Sequence, residues 1–205
     1  AGTETAYLDG GVTNTHLVAA PGTATRILTA AAYASRHDWP GPDGRTASFP
    51  FQEPLGDIAF FSSPGPRRDG MLKPEIAAPG KVVVSARARA GRAWRDLPSF
   101  TEQDSVHAVL LGTSMAAPHV AGVASLMLSV NASLSPGQIL SLLQSTVTPF
   151  PTGSTCNTSN CGAGIVNAVA AVQAAQGSSG PPNPRAYVPI AAKQTAPPGG
   201  GGSLV

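Results

Sequence analysis

In the stretch GTSMAAPHVAG, Ser114 stands between a Gly112-Thr113 turn and an apolar run, with Pro118 four residues further on. From Ser114 onward Met115, Val120, Val123, Ala124, Met127 and Leu128 recur at helical intervals, which predicts a helix beginning there. The first N–H groups of a helix have no partner within it and favour negative charge. A serine in that turn sets an oxygen nucleophile beside donors able to hold an oxyanion formed on an acyl carbon. Gly112 admits close approach of substrate or backbone, and the small Ala116 and Ala117 leave room. Pro118 deprives the Ser114 carbonyl of its usual helical partner, a cost that packing alone does not explain. A serine at a helix start is also a common cap, and that plainer reading stands beside the catalytic one.

The other groups with chemistry to offer have simpler readings. His119 lies five residues past Ser114 and so is rotated from it by roughly 140° on a 3.6-residue helix. His107 with Asp104 could supply a base only by folding back over the turn. His16 and His37 sit in loop-like sequence and read as surface residues, and Lys73 and Glu75 read as a structural pair at the start of a strand. The two cysteines, Cys156 and Cys161 in CNTSNCGAG, are separated by turn formers, and a disulfide is the preferred reading. Closing so short a loop contributes about 2 kcal/mol in the chain-entropy model. A metal site is disfavoured because no histidine lies near and no second cysteine pair occurs. An oxidised pair implies an extracytoplasmic location.

Several elements must position these groups. The segment 24–34, ATRILTAAAYA, reads as a short buried strand after the Pro21-Gly22 turn. HDWPGPDGRTASFPFQEPLG, dense in Pro and Gly, reads as a surface excursion. Apolar runs at Ile58 to Phe61 and Val82 to Val84 read as two strands, with turns at Pro64-Gly65-Pro66 and at Pro79-Gly80. Val109 to Leu111 look like a strand end. Ser135 caps a helix with Pro136 at its first position, and Gly164 to Ala175 form a third, alanine-rich helix. Strands alternating with helices indicate an α/β fold with a mainly parallel sheet and flanking helices.

The chain has 205 residues, 42% of them hydrophobic, enough to bury a core in one domain. A charged fraction of 12% and a net charge of +2 offer no basic stripe for nucleic acid and no acidic block. No apolar run approaches the ~18 to 20 residues of a membrane span, which predicts a soluble chain. The first residues show no signal peptide. Residues 177–205 hold much of the Pro and Gly and read as a linker or tail, with docking of RAYVPIAA as an edge strand the alternative. The motifs NAS at Asn131 and NTS at Asn157 are glycosylation acceptors in a glycosylating host.

GTSMAAPHVAG resembles the nucleophile motif of the subtilisin-like serine proteases, the subtilases. FSSPGPRRDGMLKPEIAAPG resembles the family's segment before the serine, SLSPGQILSLLQSTV and CGAGIVNAVAAV its two following helices, and PGTATRILTAAAY an earlier core strand. The resemblance covers about residues 20 to 175. It implies a subtilisin-like α/β fold in which Ser114 attacks a peptide carbonyl, forms an acyl-enzyme with a histidine as general base, and lends its own N–H to the oxyanion. Polypeptide substrates and secretion follow, and the chemistry needs no cofactor; calcium is common in subtilases but no ligand is assignable here. No G-x-S-x-G elbow surrounds Ser114, which sets the α/β-hydrolases aside.

The family's Asp-Thr-Gly or Asp-Ser-Gly and His-Gly-Thr or His-Gly-His triplets do not occur, and the asparagines before Ser114 reduce to Asn14. The resemblance is therefore to the C-terminal portion of a catalytic domain, residues 1–176, with Asp, His and oxyanion Asn supplied by a missing or separate upstream segment. A sheet lacking its upstream strands would expose an apolar edge, so a partner chain or self-association is expected. The alternatives are a non-catalytic peptide-binding remnant and a structural module, either of them inactive as this chain alone.

Overall fold

The computed structural model describes residues 15–88 and 100–178. Asn14 and most of the tail, with its RAYVPIAA segment, lie outside them. Among the described residues six strands, β1 (Ala30–Ala34), β2 (Asp38–Pro40), β3 (Thr46–Ser48), β4 (Ile76–Lys81), β5 (Val83–Ala86) and β6 (His107–Leu110), precede three helices, α1 (Thr113–Val130), α2 (Pro136–Ser145) and α3 (Ala168–Gly177). The parallel pair β1–β4 forms the centre, and β2–β3 and β5–β6 are antiparallel pairs.

The centre follows the two-residue period of a strand. Ala30, Ala32, Ile76 and Ala78 face the helices and share a core with Ala116, Val120, Val123 and Met127 of α1, Leu143 of α2 and Ala171 and Ala175 of α3. Ala31 and Ala77 face the other way, onto Cys161. Alanine strands let α1 come close, and Gly80 shows how close the strands themselves lie: a Cβ there would be 2.2 Å from that of Ala32. For this reason Pro79-Gly80, expected as a turn, runs inside β4.

Other boundaries also differ from the sequence reading. Of 24–34 only Ala30–Ala34 is strand. The 58–61 run is not a strand; Ile58 makes one bridge to Tyr33, and the chain turns at Ser62. The Pro/Gly-rich stretch after His37 holds the β2–β3 hairpin, whose Trp39 and Phe49 are buried with Val82 and Val109. There ring centroids lie 4.9 Å apart for Trp39–Phe49 and 5.5 Å for Phe49–Phe100. Residues 164–166 bridge to β4 and to Thr148 before α3 begins at Ala168. The α2 start matches expectation: Ser135 and Gln138 form a reciprocal capping box with Pro136 in the first turn.

The expected bare sheet edge is largely filled. On the side of β1 away from β4, Ala32 N–H donates to Ser62 Oγ, Ala59 N–H donates to the Ala32 carbonyl, and Ala34 exchanges hydrogen bonds with Asp57 and Gly56. The far side of β4 is taken by 163–166, through Ala163 N–H to the Glu75 carbonyl and a pair of bonds at Ala77. What is left uncovered is a face of α1. Ala117, Ala121, Gly122 and Ser125 are exposed, and Leu126 and Leu128 are 44% and 38% exposed although Leu128 reads as core by its spacing. At 18 residues and mean hydropathy 1.3, α1 is long and apolar enough to cross a membrane by length and composition, contrary to the sequence reading; here it packs on β1, β4 and α3.

Cys156 and Cys161 are joined as expected, with Cα atoms 5.4 Å apart. Their loop is anchored by the buried carboxylate of Asp57, which accepts from Ser154 Oγ at 2.9 Å, Thr155 Oγ1 at 2.8 Å and Thr155 N–H at 3.0 Å. Desolvation pushes the Asp57 pKa up, but the bonds from Thr155, Ile58 and Ser154 outweigh it and hold the carboxyl below its usual value.

Candidate active site

The turn before α1 is fixed by backbone. Gly112 N–H donates to the Gly80 carbonyl at 2.8 Å, so the end of β4 holds the start of α1, and Met115 N–H donates to the Gly112 carbonyl at 3.0 Å. Gly112 is itself the N-cap, with φ 146°, and no side chain caps the helix. An added Cβ at Gly112 would meet no protein atom nearer than 3.7 Å; the position needs glycine for its backbone angle and not for close approach of the protein's own backbone. Ser114 therefore sits in the second helical position and does not cap. Its side chain is exposed, beside the Thr113 and Ser114 amides for which the helix supplies no acceptor.

Ser114 opens on a cleft of about 500 Å³ whose wall comes from Val18 to Gly22 and from Ile27 to Ala30, closed by Ser63, Pro74, Thr113 and Ala117. Among the described residues no ionisable side chain lines it. The sequence reading named the Pro21-Gly22 turn and the 24–34 segment as structure only and assigned neither to the site.

All four histidines are engaged away from Ser114. His119 Nδ1 lies 2.7 Å from the Met115 carbonyl on its own helix, so the ring folds back along α1. His107 pairs with Asp104 at the end of β6 remote from Gly112, and that bond holds the Asp104 carboxyl below its usual value. His37 Nε2 is 2.7 Å from the Glu53 carbonyl, and His16 Nδ1 is 2.9 Å from Thr15 Oγ1. The turn at 102–107 also brings Glu102, Asp104 and His107 ligand atoms within 4.8 Å of one another, with Asp104 already committed to the 106 and 107 amides. Lys73 and Glu75 form the expected ion pair just before β4. Thus a hydroxyl beside free amides in an apolar cleft is present, and a base for it is not among the described residues.

The family model described as the Subtilase family matches residues 2–178. The chain belongs to the subtilase family. Among curated subtilases it is 38% identical over 119 residues to Subtilisin-like protease SBT4.13 of Arabidopsis thaliana, a match covering 56% of this chain and 16% of that protein. It is 34% identical over 135 residues to the CO(2)-response secreted protease of the same plant, covering 58% and 17%. A solved protease from Pseudoalteromonas arctica PAMC 21717 superposes with a TM-score of 0.51 at 30% identity, over 76% of this chain and 38% of that one. The chain therefore spans a minor part of the subtilases it matches, in agreement with a partial catalytic domain. Its relatives include a secreted protease.

Proposed function

We propose that Ser114 is the nucleophile of a secreted serine endopeptidase whose catalytic domain this chain completes only in part. Its hydroxyl attacks a substrate peptide carbonyl and gives its proton to a histidine base. The tetrahedral oxyanion is held by the Ser114 N–H and the positive end of α1, the amine leaves with the proton the base returns, and water then hydrolyses the acyl-enzyme. The histidine, its aspartate and an oxyanion asparagine come from a segment outside this chain. The observation that carries this reading is Ser114 itself: a serine at a helix start that caps nothing and faces a cleft. The uncovered, small-residue face of α1, beginning at the serine's own turn, is the surface the completing segment covers. The disulfide and the secreted relative support an extracytoplasmic location. The tail read from residue 177 starts later than that reading, because Gly177 ends α3 and the Ser178 carbonyl accepts from Asn131 Nδ2; the remainder, 179–205, is proposed to serve as a linker.

A second reading, a peptide-binding remnant without chemistry, is favoured by one observation, the engagement of every histidine elsewhere. Fluorophosphonate labelling followed by intact mass, under native and denaturing conditions, separates the two. The expected result is no adduct on the lone chain and a single adduct, lost in Ser114→Ala, on an assembly that includes the upstream segment. An adduct on the lone chain would overturn the need for completion. An unlabelled Ser114 in the completed assembly would leave the peptide-binding reading.

A further inference from the structure

Lys73 is a fully buried cation that the proposed chemistry does not use. Its ammonium donates to the Ile27 carbonyl and pairs with Glu75 Oε1. The other carboxylate oxygen, Oε2, accepts the Thr29 N–H at 2.8 Å, while the Glu75 and Thr29 backbones are joined at 3.0 Å. The Thr29 hydroxyl in turn donates to the Gly22 carbonyl at 2.8 Å. Gly22, Ile27, Thr29 and Pro74, which lies between the two charged residues, all line the cleft at Ser114. Burying an ion pair is a poor way to gain stability, since desolvation cancels most of the attraction, but its directional bonds fix geometry.

We propose that Lys73 and Glu75 are positioning residues for the Ser114 cleft: the pair holds Ile27 and Thr29, and through Thr29 the Gly22 turn, at the spacing that receives the peptide. This rests on the reading of the cleft as a peptide site. A wall shifted by about 1 Å lowers catalytic efficiency on the order of 10²-fold, so a pair touching no substrate still governs turnover.

The test uses the 205-residue chain and the neutral double variant K73M/E75Q, because K73M alone leaves an uncompensated buried carboxylate and is prone not to fold. Amide exchange and binding of N-acetyl-Ala-Ala-Leu are followed by NMR. In the variant, exchange at Ala24 and Thr29 rises by about tenfold and the peptide weakens by about the same factor, while Ala77 and Asn131 amides in the core keep their protection. Unchanged exchange and affinity in the folded variant overturn the proposal, as does a rise spread evenly through the core, which marks a purely structural pair. If wild type binds no peptide, exchange at Ala24 and Thr29 alone decides whether the pair holds the wall, and the peptide-site reading is decided by probe labelling of the completed assembly.

Discussion

Replacing Gly80 by alanine tests whether the tight β1–β4 contact is what sets the nucleophile turn. The added Cβ would sit 2.2 Å from the Ala32 Cβ and 2.9 Å from its Cα, the first more than an ångström and the second about half an ångström short of the ~3.5 Å at which two carbons make contact. Neither neighbour can rotate away, because one is backbone and the other a methyl fixed to it. The strands must part, at an overpacking cost of about 1 to 3 kcal/mol. For a domain of this size that lowers the melting midpoint by roughly 2 to 12 °C. The same Cβ lies 3.1 Å from the Gly112 carbonyl, so the turn carrying Ser114 moves with the strands, and Ser114 labelling in the completed assembly should fall as well. Ala32→Gly alone removes the nearer obstacle and leaves the Cα, at a cost of roughly 0.5 to 1 kcal/mol for a glycine in a strand and about 0.8 kcal/mol for the buried methyl. In the double variant the two changes should therefore offset each other, with stability and labelling both recovering above Gly80→Ala. Calorimetry and probe labelling of the four proteins read this out. A fully stable Gly80→Ala, or a double variant no better than the sum of the singles, would refute the packing argument.

Two further outcomes are expected. Because the folded Asp57 carboxyl titrates below its unfolded value of about 3.9, its bonds to Ser154 and Thr155 stabilise the fold fully above that pH and are lost as pH falls through the folded value. Denaturant midpoints of wild type should drop below about pH 4 more steeply than those of Asp57→Asn, and equal slopes would remove Asp57 as a cause. In a glycosylating host Asn157, which is exposed, should carry glycan. Asn131 should not, because its Nδ2 is buried against the Ala175 and Ser178 carbonyls at 3.1 and 2.7 Å; glycopeptide mapping that finds Asn131 modified in folded protein would contradict this packing.

What could be read from sequence was local. The Ser135 cap with Pro136 behind it, the α1 start after Gly112 and the cysteine pair are each specified by side chains within a few residues, and each is where it was expected. Pro79-Gly80 misled because its punctuation has a partner elsewhere: the missing side chain of Gly80 makes space for Ala32, forty-odd positions away in the chain. The β2–β3 hairpin was hidden for a similar reason, since Trp39 and Phe49 find their apolar neighbours in Val82, Phe100 and Val109. The Ser114 motif was legible, whereas the cleft wall at Val18 to Gly22 owes its role to Thr29 and Pro74, which only folding brings there.

The hydrogen bond from Gly112 N–H to the Gly80 carbonyl joins two points that the chain reaches before and after β5 and β6. At Val82, φ of 54° turns the strand out of the parallel pair, and the antiparallel β6 brings the chain back to where it left. The chain thus leaves after Lys81 and returns at Leu111, and the two ends of this excursion are tied together beside the serine. Lengthening such a closed loop is cheap, about 0.6 kcal/mol for each doubling. Residues can accordingly be gained or lost between β5 and β6, two strands already paired to each other, at little cost and without moving Ser114.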